Sequence, residues 1–161
     1  MNATATGGGM LDDSGLSGAF RIDREGIWHH EGIEVTHPGV LRNLYANLRA
    51  DAGGYYLQAG PLRVPVEVDD APFVVVRAET VPGTDVIELH LTDGSRERLR
   101  ADTLTMDPRD VPHCRVKDGR FPARLSVAAW LQLAERVEPD PASGDPSLLY
   151  QGRRFVLRRA G

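Results

Sequence analysis

A two-copy pattern constrains this chain most. Near each end a short hairpin with glycine in its turn runs into an amphipathic helix. The first copy is Ile27-Trp28-His29-His30-Glu31-Gly32-Ile33-Glu34-Val35, followed by Leu41, Leu44, Tyr45 and Leu48. The second is Cys114-Arg115-Val116-Lys117-Asp118-Gly119-Arg120-Phe121, followed by Val127, Trp130, Leu131 and Ala134, each 86 positions after its counterpart. A helix with one apolar face needs a sheet to cover it, so a repeated hairpin-helix-strand unit predicts an α+β protein of two similar halves with antiparallel sheets.

Local signals mark where these halves start and stop. Residues 1–18 carry Thr-Gly-Gly-Gly and Asp-Asp-Ser-Gly with few large apolar groups, too little to offset the entropy of ordering the backbone, so they read as a disordered leader. A first α+β unit is expected over 19–106. Its helix begins at Pro38, where a missing N–H costs nothing, and ends at Asp51-Ala52-Gly53-Gly54. Leu62, Val64, Val66 and Val68 alternate with polar residues and Pro65, which predicts a half-buried strand with Pro65 at an edge or bulge. Phe73-Val74-Val75-Val76 predicts a central strand, and Ile87 to Arg100, folded at Asp93-Gly94, extends the unit by a β-meander. Asp107-Pro108-Arg109-Asp110-Val111-Pro112 has the composition of a connector, so a second unit is expected over 107–161, packed on the first. Its helix takes Ser126 as N-cap, with Leu125 and Trp130 spaced as a hydrophobic staple, and a hairpin turning at Gln151-Gly152 closes the chain.

Charge and composition narrow the function. The 161 residues carry 19 basic and 23 acidic side chains, a formal net charge of −4, so nothing in the overall electrostatics favours nucleic acid. The longest apolar runs are far too short to span a bilayer. Cys114 has no partner for an intramolecular disulfide, and Asp12 and Asp13 stand where a secretory signal needs basic then apolar residues, which predicts a cytoplasmic protein.

No motif for a reaction stands out. His29 and His30 point to opposite faces of a strand, so only one of them can share a site with His37 or His113, and no zinc-ligand spacing occurs; no metal or cofactor is expected. Glu67, Asp69 and Asp70 bracket a strand end and, with a histidine, make a hydrolase the alternative function, although turn formation accounts for the same acids. Trp28 reads as core, whereas Tyr55 and Tyr56 suit either a core margin or a pocket. Arg153, Arg154, Arg158 and Arg159 suit a solvated strand end or an anionic partner, and Cys114 reads as a buried thiol. The expectation is a non-catalytic module binding a small molecule or a protein in a groove between the units, lined by Trp28, Tyr55, Asp70, Phe73, Arg124 and Arg136. A homodimer formed through an open sheet edge is a third option.

Several segments, taken in order, resemble one family. These are Gly26-Ile27-Trp28-His29-His30-Glu31-Gly32, Leu41-Arg42-Asn43-Leu44-Tyr45, Tyr55-Tyr56-Leu57, Leu91-Thr92-Asp93-Gly94 and, most specific, Val66-Glu67-Val68-Asp69-Asp70-Ala71-Pro72-Phe73. Together they resemble the bacterial domain of unknown function 1285 from about Phe20 to Leu157. The resemblance implies an α+β fold of two similar motifs, no established activity, and a role in ligand binding or signalling. The chain departs from that pattern at Ala123, where an aromatic is usual, and at Val127, where arginine is usual; if that arginine holds a ligand, Arg124 would have to replace it.

Overall fold

The computed structural model describes residues 20–159; the leader expected over 1–18 lies outside the described residues. Two compact units divide between Asp70 and Ala71. This differs from the boundary expected at the proline-rich connector, because the meander is hydrogen-bonded into the sheet of the second unit.

The first unit contains β1 (Phe20–Ile22), β2 (Trp28–His30), β3 (Ile33–Glu34), α1 (Pro38–Ala46), β4 (Leu48–Asp51), β5 (Gly54–Ala59) and β6 (Leu62–Val68). Its sheet runs β3-β2-β1-β6-β5-β4, antiparallel except where β1 lies parallel to β6 with Phe20 opposite Val66. Alternation in β6 buries Val64 and Val66 and exposes Arg63, Pro65 and Glu67. Pro65 thus occupies an interior strand, but it precedes the segment that pairs with β1, so the ladder there needs no N–H on that side. Trp28 anchors the core, meeting Phe20 edge-on at 6.4 Å and Tyr45 at 5.4 Å.

Helix α1 starts where Pro38 predicts, but a histidine caps it. Nδ1 of His37 accepts from the N–H groups of Gly39 (3.0 Å) and Val40 (3.3 Å). The helix closes at Asn47, earlier than the apolar spacing suggests, and Leu48 is buried from a strand instead.

The second unit contains β7 (Phe73–Thr80), β8 (Ile87–Leu91), β9 (Arg96–Arg98), β10 (Thr105–Met106), β11 (Pro112–Val116), β12 (Phe121–Leu125), α2 (Val127–Ala134), β13 (Val137–Pro139), β14 (Pro146–Tyr150), β15 (Arg153–Val156) and β16 (Arg158–Arg159). One sheet runs β16-β10-β11-β12-β7-β8-β9 and a smaller one β13-β14-β15. Strand β7 bulges at Val76 and outruns β12. Beyond that point Gln132 of α2 accepts the Ala78 N–H at 2.7 Å, and the Tyr150 hydroxyl takes that of Ile87 at 3.2 Å. Ser126 caps α2 as expected, accepting from Ala129 at 3.1 Å. The buried face of α2 is not the expected one: Ala129 and Leu133 are buried, while Val127 and Leu131 are 73% and 61% exposed.

The first unit and the part of the second from β10 onward share one plan, in which a strand, a hairpin, a helix and further strands follow in order and the opening strand pairs with a parallel late strand. In the first unit β1 pairs with β6; in the second β10 pairs with β16. The turn after each opening strand is built alike. Oδ1 of Asp23 accepts from Glu25 (2.9 Å) and Ile27 (3.0 Å), and Oδ1 of Asp107, 84 positions on, accepts from Arg109 (2.8 Å) and Val111 (2.9 Å). Gly26 and Asp110 hold the same left-handed conformation there, at φ 85° and 63°. The helices align at a separation of 89, not 86, which superposes the caps His37 and Ser126, the buried Leu44 and Leu133, and the first residues of β4 and β13.

Candidate binding site

The residues expected at a ligand fall into different roles. Trp28 and Phe73 are only 1% and 2% exposed, so both belong to cores, and the indole Nε1 of Trp28 is buried without a hydrogen-bond partner. Arg124 is half-buried on β12, level with Val74 of β7 and His113 of β11. Arg136 follows α2 and is engaged structurally, donating to Asp85 (2.7 Å) and to the Thr80 hydroxyl (3.0 Å). Since Val74 and Thr80 are six residues apart on β7, the sites of Arg124 and Arg136 are separated by roughly 20 Å of strand. Asp70 is half-buried just after β6. Tyr55, on β5, lines a concavity.

Of the acids weighed for catalysis Asp69 is tied up in an ion pair, and several of the histidines have structural roles. Arg21 grips both oxygens of Asp69, at 2.6 Å for the shortest contact, and this guanidinium holds the Asp69 carboxyl below its usual range. An acid so held stays ionised at neutral pH and does not donate a proton. Nε2 of His29 lies 2.9 Å from Asp23. Burial pushes the Asp23 carboxyl up, but hydrogen bonds from His29 and the Ile27 and Glu25 amides bring it below the ordinary value. The His30 ring stacks on Phe20 at 4.5 Å, His37 is a cap, and Nδ1 of His113 lies 3.1 Å from the Val111 carbonyl, which fixes Nδ1 as the protonated nitrogen if that bond is made. Among the described residues no group of three or more His, Cys, Asp or Glu is placed to hold a metal ion. Burial pushes the Cys114 thiol up to about 12, which removes it as a nucleophile near neutral pH.

The concavity at Tyr55 is assembled by the β4–β5 turn and the β5–β6 ladder. Asp51 Oδ1 accepts from Gly53 N–H at 2.8 Å, and Gly54 takes φ 123°, a conformation that lets the turn close without a side chain. Register then sets Tyr56 opposite Pro65 and Leu57 opposite Val64. The Arg63 guanidinium lies over the Tyr56 ring at 3.8 Å and pairs with Asp51. That hydrogen bond lowers the Asp51 carboxyl and raises the Arg63 guanidinium. Tyr55, Tyr56, Pro65 and Arg63 thereby line a hollow of about 450 Å³, floored by Gly53 and Gly54. An aromatic face, a bare backbone and a guanidinium stacked on the ring suit a planar group. Sequence reading missed Arg63 and Asp51; pairing the strands through the Gly53-Gly54 turn would have brought both to Tyr56.

No protein-family model and no curated protein matches the chain. Two solved structures do. A DUF1285 family protein from Silicibacter pomeroyi DSS-3 is 25% identical with a TM-score of 0.71, the match covering 86% of this chain and 78% of that one. A DUF1285 family protein from Shewanella baltica OS155 is 17% identical with a TM-score of 0.62, covering 72% of this chain and 90% of its own and supporting the fold. Among the described residues no helix is long and apolar enough to cross a membrane. The chain is a distant homologue of the bacterial DUF1285 family.

Proposed function

We propose that this protein is a non-catalytic binding module for a small molecule or a protein segment, serving a signalling role. The hollow at Tyr55 and Tyr56 carries the reading, because its volume is that of a small-molecule site and its lining joins aromatic surface to a few polar groups. Tyr56 and Arg63 are the ligand contacts in this proposal, with Tyr55 bordering the hollow from the neighbouring position of β5; Trp28 and Phe73 support the units from their cores. A lone, buried Cys114 suits a reducing compartment, so the cytoplasm is the proposed location.

An amide-resolved NMR screen of metabolite and peptide mixtures tests this. Ligands are expected to shift the resonances of residues 51–65, and Arg63→Gln to weaken them. Binding that leaves this segment unmoved, or that survives Arg63→Gln and Tyr56→Ala unchanged, would refute the reading.

A further inference from the structure

The second unit holds a basic hollow that the reading above does not use. Strand β9 and the β11–β12 turn border an open surface hollow of about 380 Å³ lined by Glu97, Arg98, Leu99, Arg100, Lys117, Asp118 and Arg120, with all three arginines exposed. Of its four cations Lys117 is paired with Asp93, which leaves three arginines against Glu97 and Asp118 on a chain whose net charge is −4. Elsewhere arginines such as Arg21, Arg63, Arg136 and Arg154 are neutralised by an acid. Among the described residues no carboxylate pairs with Arg98, Arg100 or Arg120 in this way.

The frame behind these arginines is rigid. Leu99 is buried and donates to Ile87 O at 2.9 Å, so Arg98 and Arg100 project on either side of an anchored residue. The Arg100 carbonyl accepts from Thr103 N–H (2.9 Å) and the Thr103 hydroxyl (2.7 Å). Across the hollow, Lys117 N–H donates to Glu97 at 3.1 Å, and Lys117 Nζ is held by Asp93 (2.6 Å) and Ser95 Oγ (2.8 Å). Arg120 Nε donates to Lys117 O at 2.9 Å, leaving its two terminal nitrogens pointing away from that tether. Lys117, Asp118 and Gly119 all take positive φ, 56°, 57° and 78°, a costly run for two side-chain-bearing residues. A Cβ on Gly119 would lie 2.9 Å from Arg100 Nη1, so the bare glycine is what lets the Arg100 guanidinium rest against the turn.

We propose that Arg98, Arg100 and Arg120 form a binding site for a small phosphate-bearing ligand with two or more negative charges. Guanidinium forks match phosphate oxygens in pairs, and three of them exceed what one carboxylate would neutralise. The volume of this open hollow sits near the lower end of the range for small-molecule sites, which suits a diphosphate-sized group. The flanking Glu97 and Asp118 disfavour a long polyanion laid across the rim.

Calorimetry and thermal unfolding of the full chain with pyrophosphate and tripolyphosphate test the site. Tripolyphosphate is expected to bind and raise the unfolding midpoint, with affinity falling as NaCl rises. The variant R98Q/R100Q/R120Q is expected to lose at least about tenfold in affinity, each charge-assisted pair being worth that order. The control R42Q/R153Q/R158Q removes equal charge elsewhere and is expected to bind as the wild type does. Equal loss in both triple variants, sulfate acting as well at matched ionic strength, or no binding at millimolar tripolyphosphate would overturn the proposal. So would a single-stranded oligonucleotide that binds without competition from tripolyphosphate. Because the readout lies in residues 97–120, its failure is separable from that of the Tyr55 site.

Discussion

Replacing Leu133 by alanine tests which face of α2 holds the second unit together. Leu133 is 1% exposed, and Leu→Ala removes three carbons, about 2.4 kcal/mol at roughly 0.8 per buried CH₂. The residual cavity brings the expected cost to about 3 kcal/mol. At this chain length that corresponds to a fall of roughly 6–12 °C in melting temperature if the chain unfolds in one step. Leu131, two residues away and 61% exposed, is expected to cost less than about 1 kcal/mol by the same area argument. Val127→Ala, at 73% exposure, is expected to be neutral or slightly stabilising, since alanine favours the helix by a few tenths of a kcal/mol. Urea unfolding followed by far-ultraviolet circular dichroism on the three variants gives the comparison. An L131A loss equal to or larger than that of L133A would refute the packing and restore the separation of 86.

Three further outcomes are expected. Cys114, with its thiol at about 12, is expected to resist Ellman's reagent in the native state at pH 8 and react fully in denaturant; rapid native labelling would contradict its burial. His37→Ala is expected to lose about 1 kcal/mol of stability through the α1 cap, and His37→Asp to retain it; equal losses would show that His37 does not cap. Burial pushes the Asp93 carboxyl up, but Lys117 and Ser95 bring it below the ordinary 3.8, so its contribution is complete above that pH and disappears as the pH falls through the lower folded value. Acid unfolding of Asp93→Asn is therefore expected to be less steep than that of the wild type, and superimposable curves would argue against the Asp93–Lys117 pair.

Much of the architecture was legible because alternation and turn chemistry are local. The alternating Leu62 to Val68, the Gly119 and Gly152 turns and the Ser126 cap all lie where periodicity and propensity place them. Helix α2 was misread because Val127, Ala128, Ala129, Trp130, Leu131, Leu133 and Ala134 make it apolar nearly all round, so no periodicity selects a face. The cap fixes the phase, and matching Ser126 to His37 would have given 89. The meander was assigned to the wrong unit because β7 joins β12 by parallel pairing across about fifty residues, a contact with no local signature. Among residues lining the hollow, Tyr55 and Tyr56 stand out in the sequence as aromatics, but Arg63 and Asp51 gain their place only from strand register.

The parallel closure of each repeat has a consequence for how the chain folds. Each opening strand pairs early with its neighbouring hairpin, Phe20 with His30 and Thr105 with His113, but its second edge waits 46 positions for Val66 in the first repeat and 53 for Arg158 in the second. By loop-closure entropy the two waits differ by only about 0.1 kcal/mol, leaving the halves matched in that entropic barrier. The N-terminal repeat, released from the ribosome first, would be complete before the C-terminal one has its closing strand, which makes β16 the final brace of the second unit.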